Sequence, residues 1–270
     1  MQRRFEGLTE AQFKMFEPFL PSQRTGRGRP YASFIKVFNT IIWILINGAR
    51  WIDVPKGEQW SPKSTAHDWL GKWQADGTWG KIFSNILGMA EIAGLIDWDR
   101  ASVDGAFVAG KGGGEDVQYG YKGKGLTLHA LVDGNGMPFI IISTSAADDE
   151  REQVEILLDA VSVRNGKVGR PKKQPGALQA DKGYDSRALR NKVRSRGIKP
   201  MISRRSWPNR KQPRGRPPAK PIDRWKVERT FGWLQKKYRR LVVRWERRNR
   251  YWLGFVLLGM SLIWIERLLL

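Results

Sequence analysis

The period of the hydrophobic positions changes once along the chain. From residue 8 to about 94 the apolar residues recur at helical spacing. LTEAQFKMFEPFL over 8–20 predicts a short helix with Thr9 as N-cap and Phe13, Phe16 and Leu20 on one face. After the basic linker PSQRTGRGRP, residues 33–48 predict a buried helix that ends at Gly48. Serine and threonine at 61–65 open a helix that runs to about Ala75, and a further one spans roughly 79–94 and stops at Gly94. Residues 1–96 therefore read as a helical region, compatible with a helix-turn-helix reader of DNA.

Near residue 98 the alternation becomes that of strands. Asp99–Val108 predicts one, and 125–133 and 137–144 predict two more, joined through the hairpin signal Gly134-Asn135-Gly136. Residues 149–163 form an amphipathic helix with acids in its first turn, and 176–181 a short strand ending in an aspartate. A basic helix over 185–196 and a strand over 197–202 follow. Residues 203–222 are rich in Arg, Lys, Pro and Gly and predict a mobile basic loop. A helix resumes over 223–238, and the chain closes on an apolar helix at about 250–269. This order is mixed α/β, a central sheet flanked by helices. It assigns 97–248 to one α/β domain and 249–270 to a helix buried in the core or at a dimer contact. The uncharged run 251–265 falls just short of the roughly 17–25 residues of a membrane span, so no membrane association is expected. The opening MQRRFEGLTEAQ has no apolar core of signal-peptide length, which predicts a cytoplasmic protein.

Charge sharpens the picture. The 270 residues carry 48 Lys+Arg against 26 Asp+Glu, a net +22. Residues 182–250 alone hold 25 Lys/Arg and four acids, whereas 1–181 is nearly balanced. So concentrated an excess points to a surface that neutralises phosphates, rather than to a solubility device. The absence of cysteine excludes disulfides, thiolate zinc sites and cysteine nucleophiles. Only His67 and His129 are present, which excludes a multi-histidine metal site. A metal here would be held by carboxylates, and that suits magnesium or manganese.

Three acids stand apart from other acids. Asp104 lies in the first strand (ASVDGAF), Asp181 at the end of a later one (LQADKGYD), and Glu228 on the late helix (RWKVERTF). Phosphodiester cleavage needs attacking and leaving oxygens held in line. Two divalent ions about 3.5–4 Å apart do this when carboxylates hold them. Spacing by itself leaves cap, turn and salt-bridge roles open for all three. His129, between Leu128 and Ala130, reads as a packed or hydrogen-bonded histidine. Asp133 reads as a turn residue, and Asp148 and Asp149 as helix caps. Core packing is the favoured role of Trp225 and Trp233, with base stacking as the alternative. Three Gly-Arg-Pro tripeptides, at 28–30, 169–171 and 215–217, are placed in linkers or in a narrow minor groove.

Beyond these readings, the ordered series LTEAQFKMFEPFLP, GRGRP, INGARWIDVP, WSPKSTAHDWLGKW, VDGAFV, GYKGKGLTLHALVDGNGMP, ADKGYDSRALR and KVERTFGWLQKKYRRLVVRWER resembles the DDE transposases of bacterial insertion sequences. The likeness is to the group usually numbered five, close to group four, and covers about 8–250. It implies a ribonuclease-H-like fold and a catalytic, metal-binding triad of Asp104, Asp181 and Glu228. In the Tyr-Arg-Glu-Lys signature of related members, Arg224 and Glu228 keep the Arg-x3-Glu spacing, while Pro221 stands at the tyrosine position and Gln235 at the lysine position, beside Lys236 and Lys237. Only 47 residues separate Asp181 from Glu228, little room for a large inserted domain. The function implied is a transposase that binds terminal inverted repeats, cuts at the 3′ ends with Mg2+ (or Mn2+), and joins those ends to target DNA. A homodimer associated with the bacterial nucleoid is expected. Candidate DNA contacts are Arg27, Arg29, Lys122, Lys124, Lys182, Arg204, Arg205, Arg210, Lys211, Arg214, Arg216, Arg224, Lys236 and Lys237. The alternatives are a sequence-specific DNA-binding protein or repressor without catalysis, and a membrane-anchored basic protein.

Overall fold

The computed structural model describes residues 5–22, 30–205 and 219–270. The chain divides into two compact units. One gathers Met1–Ile86, Val108–Val117 and Trp233–Leu270, and the other Leu87–Phe107 and Gln118–Gly232.

The first unit is mainly helical. Thr9 Oγ1 accepts from the Gln12 N–H, and Gln12 Oε1 accepts from the Thr9 N–H, a reciprocal cap on α1 (Glu10–Lys14). The helix expected over 8–20 stops there, and a 3-10 turn at Glu17–Phe19 takes its place, because Pro18 has no N–H to donate. α2 (Phe34–Asn47) ends as its sequence predicts, with Gly48 in the left-handed region at φ +64°. α3 (Lys63–Ala75) and α4 (Thr78–Ile92) follow. Their shared core is aromatic: the Phe38 ring lies 4.6 Å from Phe16, 5.0 Å from Trp73 and 5.4 Å from Trp79, and all four side chains are fully buried.

The apolar C-terminal helix, α8 (Asn249–Leu268), completes that core. Trp252, Phe255, Leu258 and Trp264 are buried along it. Gly254 lies so close to α3 that a Cβ there would come within 2.8 Å of Leu70 Cδ1. By length and composition α8 could span a bilayer, but 67% of its apolar window is buried within the protein, as in a core helix.

The second unit is built on a six-stranded mixed sheet among the described residues. Its strands are β1 (Arg100–Ala109), β2 (Gln118–Gly120), β3 (Gly123–Asp133), β4 (Pro138–Ser145), β5 (Ala177–Ala180) and β6 (Lys199–Ile202). The order is β2-β3-β1-β5-β6, with β4 also on β3. β3 pairs antiparallel with β2 through Gly123–Gly125 and with β4 through Leu126–Val132, while β1-β5 and β5-β6 are parallel. The expected hairpin is present: Asp133 Oδ1 accepts from the Asn135 and Met137 N–H groups, at 2.9 and 2.7 Å. β2 has no counterpart in the hydrophobic pattern, since three residues are too few to show alternation.

Helices α5 (Gln153–Ala160), α6 (Arg187–Ser195) and α7 (Trp225–Lys237) carry the rest. α5 begins later than the 149–163 pattern suggests. Asp148 and Asp149 do not cap it: Asp148 accepts from the Ser145 N–H, and Asp149 folds onto the backbone and guanidinium of Arg151. Their carboxylates close turns ahead of the helix instead.

Candidate active site

The register of two strands brings the aspartates together. Arg100, Ala101 and Ser102 of β1 face Ala177, Leu178 and Gln179 of β5. Continued by two residues, the register sets Asp104 opposite Asp181. Asp181 keeps the extended backbone, at φ −75° and ψ 178°. Neighbouring strands lie about 4.8 Å apart and same-parity residues share a face, so the two carboxylates are neighbours at the carboxyl end of β5. Asp181 also caps a 3-10 turn at Lys182–Tyr184, its Oδ1 accepting from the Gly183 N–H at 2.6 Å.

Glu228 reaches the pair through α7, whose first turns are fastened at several points. Gln179 Oε1 on β5 accepts from the Ile222 and Asp223 N–H groups, at 2.6 and 3.2 Å. Lys226 Nζ donates to the Gly134 carbonyl and Thr230 Oγ1 to the Gly136 carbonyl, each at 2.5 Å, tying the helix to the β3-β4 turn. Asp223 pairs with Arg100 at 3.3 Å. On the helix so held, Arg224 spans two of the acids: Nη1 donates to Asp104 Oδ2 at 3.0 Å and Nη2 to Glu228 Oε1 at 2.5 Å. Glu228 itself is about half exposed.

Burial pushes the Asp104 carboxyl above the usual range. The Gly105 N–H and Arg224 oppose that shift, and Asp181 and Glu150 add to it. Glu150 is a site residue that sequence reasoning missed. A Cβ at Gly105 would lie 3.1 Å from Glu150 Cδ and 3.2 Å from Thr127 Cγ2, which measures how closely this fourth carboxylate approaches the residue after Asp104. The Tyr184 side chain, 1% exposed, belongs to the same cluster. Its phenol is pushed far up by burial and by the charges of Glu150, Asp104 and Asp181. Glu150 sits in the acidic run DDER, where its neighbours' turn roles hide it; the one sequence signal is the glycine that leaves room for it.

Two aspartates and a glutamate form a hard oxygen donor set, the kind that suits Mg2+ or Mn2+. A divalent cation would offset both the burial that raises Asp104 and the smaller repulsion from Asp181 and Glu150. Among the described residues no three His, Asp or Glu side chains are grouped so as to hold a metal ion, and Arg224 is the cation between Asp104 and Glu228. The residues fit a metal in donor chemistry, with Asp104 and Asp181 as the adjacent pair.

The other sequence candidates are dispersed. Lys182 is exposed directly after Asp181, and Lys122 and Lys124 are exposed at the β2-β3 turn. Arg204 and Arg205 follow β6, the Arg205 N–H donating to Asp185 Oδ2 at 2.7 Å. Lys236 is exposed and Lys237 pairs with Glu266, both in the first unit. Arg27, Arg29, Arg210, Lys211, Arg214 and Arg216 lie outside the described residues, as do the tripeptide at 215–217 and most of that at 28–30. His129 behaves as expected: it is buried, its Nε2 lies 2.9 Å from Thr144 Oγ1, and burial pushes its pKa down to about 4. Trp225 does not. It is 53% exposed, with the Arg229 guanidinium 4.9 Å over its ring, so core packing does not describe it. Its place in the first turn of α7, beside the solvent-facing Glu228, keeps it out of the core.

Comparison with known proteins gives a consistent result. The family described as "Transposase DDE domain" matches residues 93–264, and that described as "Putative transposase of IS4/5 family" matches residues 8–83. The chain is similar to the "Putative transposase for insertion sequence element IS402" of Burkholderia cepacia, 38% identical over 135 residues, which are 50% of this chain and 60% of that protein. It is also similar to the "Insertion element IS402 uncharacterized 16.2 kDa protein" of the same organism, 30% identical over 114 residues, 41% of this chain and 78% of the relative. The first match thus spans less than two thirds of the relative's length. No solved structure matches the chain.

Proposed function

The chain belongs to the DDE transposases of the IS4/5 family, with the ribonuclease-H-like fold of their catalytic domain, and from that premise we propose that it cuts and joins the ends of its own insertion sequence. It binds the terminal inverted repeats as a dimer. Asp104, Asp181 and Glu228 would hold Mg2+, which when bound would supply activation of the attacking oxygen and neutralisation of charge at phosphorus. At each end the P–O3′ bond is hydrolysed, water supplying the new P–O bond and the proton of the 3′-hydroxyl. That hydroxyl then attacks a target phosphodiester, forming one P–O bond as another breaks. The protein's own share is positioning. The sheet sets Asp104 beside Asp181, and the α7 anchors hold Arg224 where it bonds Asp104 and Glu228. Arg224, Lys182 and the basic segment after β6 hold the DNA backbone.

The observation that carries this reading is the parallel register of β1 on β5, which continued by two residues sets Asp104 by Asp181, with Arg224 bonded to both Asp104 and Glu228. A strand-joining assay tests it, with protein, Mg2+ or Mn2+, duplexes ending in the element's terminal repeats, and plasmid target. Wild type should give joined product, and Asp181→Ala should give none while binding the same duplex normally. End-specific binding with no joining by wild type would favour a repressor without catalysis.

A further inference from the structure

The β2-β3 hairpin carries a feature the catalytic reading does not use. Gly120 pairs with Gly123, so Tyr121 and Lys122 form a two-residue turn. Tyr119 is 77% exposed and the Tyr121 side chain is fully exposed. Opposite Tyr119 stands Lys124, its ammonium 5.9 Å from the Tyr119 ring centroid. Lys122 and Lys124 are both exposed. Two exposed rings and two exposed cations therefore share the tip. Gly120 abuts Ala146, where a Cβ would meet the carbonyl oxygen at 2.0 Å.

The hairpin's position gives the patch a meaning. Thr127 of β3 adjoins Gly105, the residue after Asp104, as the short Cβ distance shows. Gly123 lies four residues further along β3, or about 13 Å at 3.3 Å per residue. Alternation along β3 puts Lys124 on the face opposite Thr127, the face Asp104 takes relative to Gly105. A DNA strand with its scissile phosphate at Asp104 and Asp181 would reach the hairpin about four nucleotides away, at 3.4 Å per step. Exposed rings flanked by lysines supply what an unpaired strand needs: a π-face for the base and a cation for each phosphate.

We propose that Tyr119 and Tyr121 form a stacking platform for an unpaired nucleobase, with Lys122 and Lys124 holding the phosphates on either side. This rests on the DNA-processing reading above. The test uses two fluorescein-labelled duplexes of one sequence, fully paired or with a single unpaired adenine, and reads affinity by anisotropy. Wild type should bind the unpaired probe about tenfold more tightly, within what stacking one base supplies. Tyr119→Ala/Tyr121→Ala should erase that preference while the paired duplex binds as before, and Tyr121→Phe, which keeps the ring, should retain it. All the side chains changed are exposed, so thermal melting should not move. A preference that survives the double alanine variant overturns the proposal. So does equal binding of both probes by wild type, which leaves the DNA-processing reading standing. Failure of wild type to bind either probe overturns both. A change of sedimentation in the double variant without loss of the preference would make the tip a contact between copies of the chain and overturn the platform.

Discussion

Gly105 is one place where the site is sensitive to a single methyl group. A Cβ there meets both Glu150 and Thr127 at just over 3 Å. Gly105→Ala should push the Glu150 carboxyl away from Asp104 or strain β1, at a cost of about 1–3 kcal/mol. Urea unfolding would show this as a lower midpoint at unchanged slope. The three acids Asp104, Asp181 and Glu228 could be picked out from the sequence because they sit in motifs that resemble the family's. Glu150 could not, because nothing in the sequence places residue 150 beside residue 105; a sheet edge and a turn do that. Trp225 was misread for a related reason. Helical periodicity gives the spacing of a face but not which face meets solvent, and here the first turn of α7 presents its indole outward.

At the scale of elements, the β3-β4 hairpin contains two buried titratable groups that oppose each other. Burial pushes Asp133 up to about 6, against three backbone N–H groups that favour its charge. Burial pushes His129 down to about 4. Asp133 takes up its proton in the fold before it does so unfolded, so its stabilising contribution is full below about pH 4 and gone above about pH 6. His129 resists its proton in the fold, so stability is lost as pH falls from 6.5 toward 4. At 1.36 kcal/mol per pKa unit each effect is roughly 3 kcal/mol, and over pH 4–6 they nearly cancel. Removing His129 by His129→Gln should leave stability falling as pH rises through that window. Asp133→Asn should leave it rising. Chemical denaturation at several pH values checks both slopes. The α7 anchors belong to the same scale. Thr230→Val removes the bond to the Gly136 carbonyl and should cost about 1–3 kcal/mol, because the buried carbonyl is left unsatisfied. Most of these elements could be read from the sequence, since alternation and helical spacing extend over enough residues to show. β2 could not, and with it went the hairpin whose rings now stand out. The ends of α1 and α5 were overrun because local turns at Pro18 and Asp149 outweighed the periodic pattern.

For the whole molecule, charge and chain path matter most. The +22 excess implies an affinity for DNA dominated by backbone contacts. If 6–10 phosphates are neutralised, binding should weaken by about 10³–10⁵ between 50 and 200 mM salt. A titration of affinity against salt would read the number of contacts from its slope. The burial of α8 against α3 carries a different consequence, one of timing. A ribosome delivers a chain from its N-terminus at about 5–20 residues per second, so α8 follows Ile86 by roughly 10–30 s. For that interval the indoles of α3 and α4 have α2 beside them but not α8. The N-terminal helices cannot close their aromatic core while they alone have been synthesised, and that core is completed only when α8 emerges. A chain stopped before Asn249 should show native signals for the sheet unit and none for the aromatic core, as near-ultraviolet circular dichroism would register.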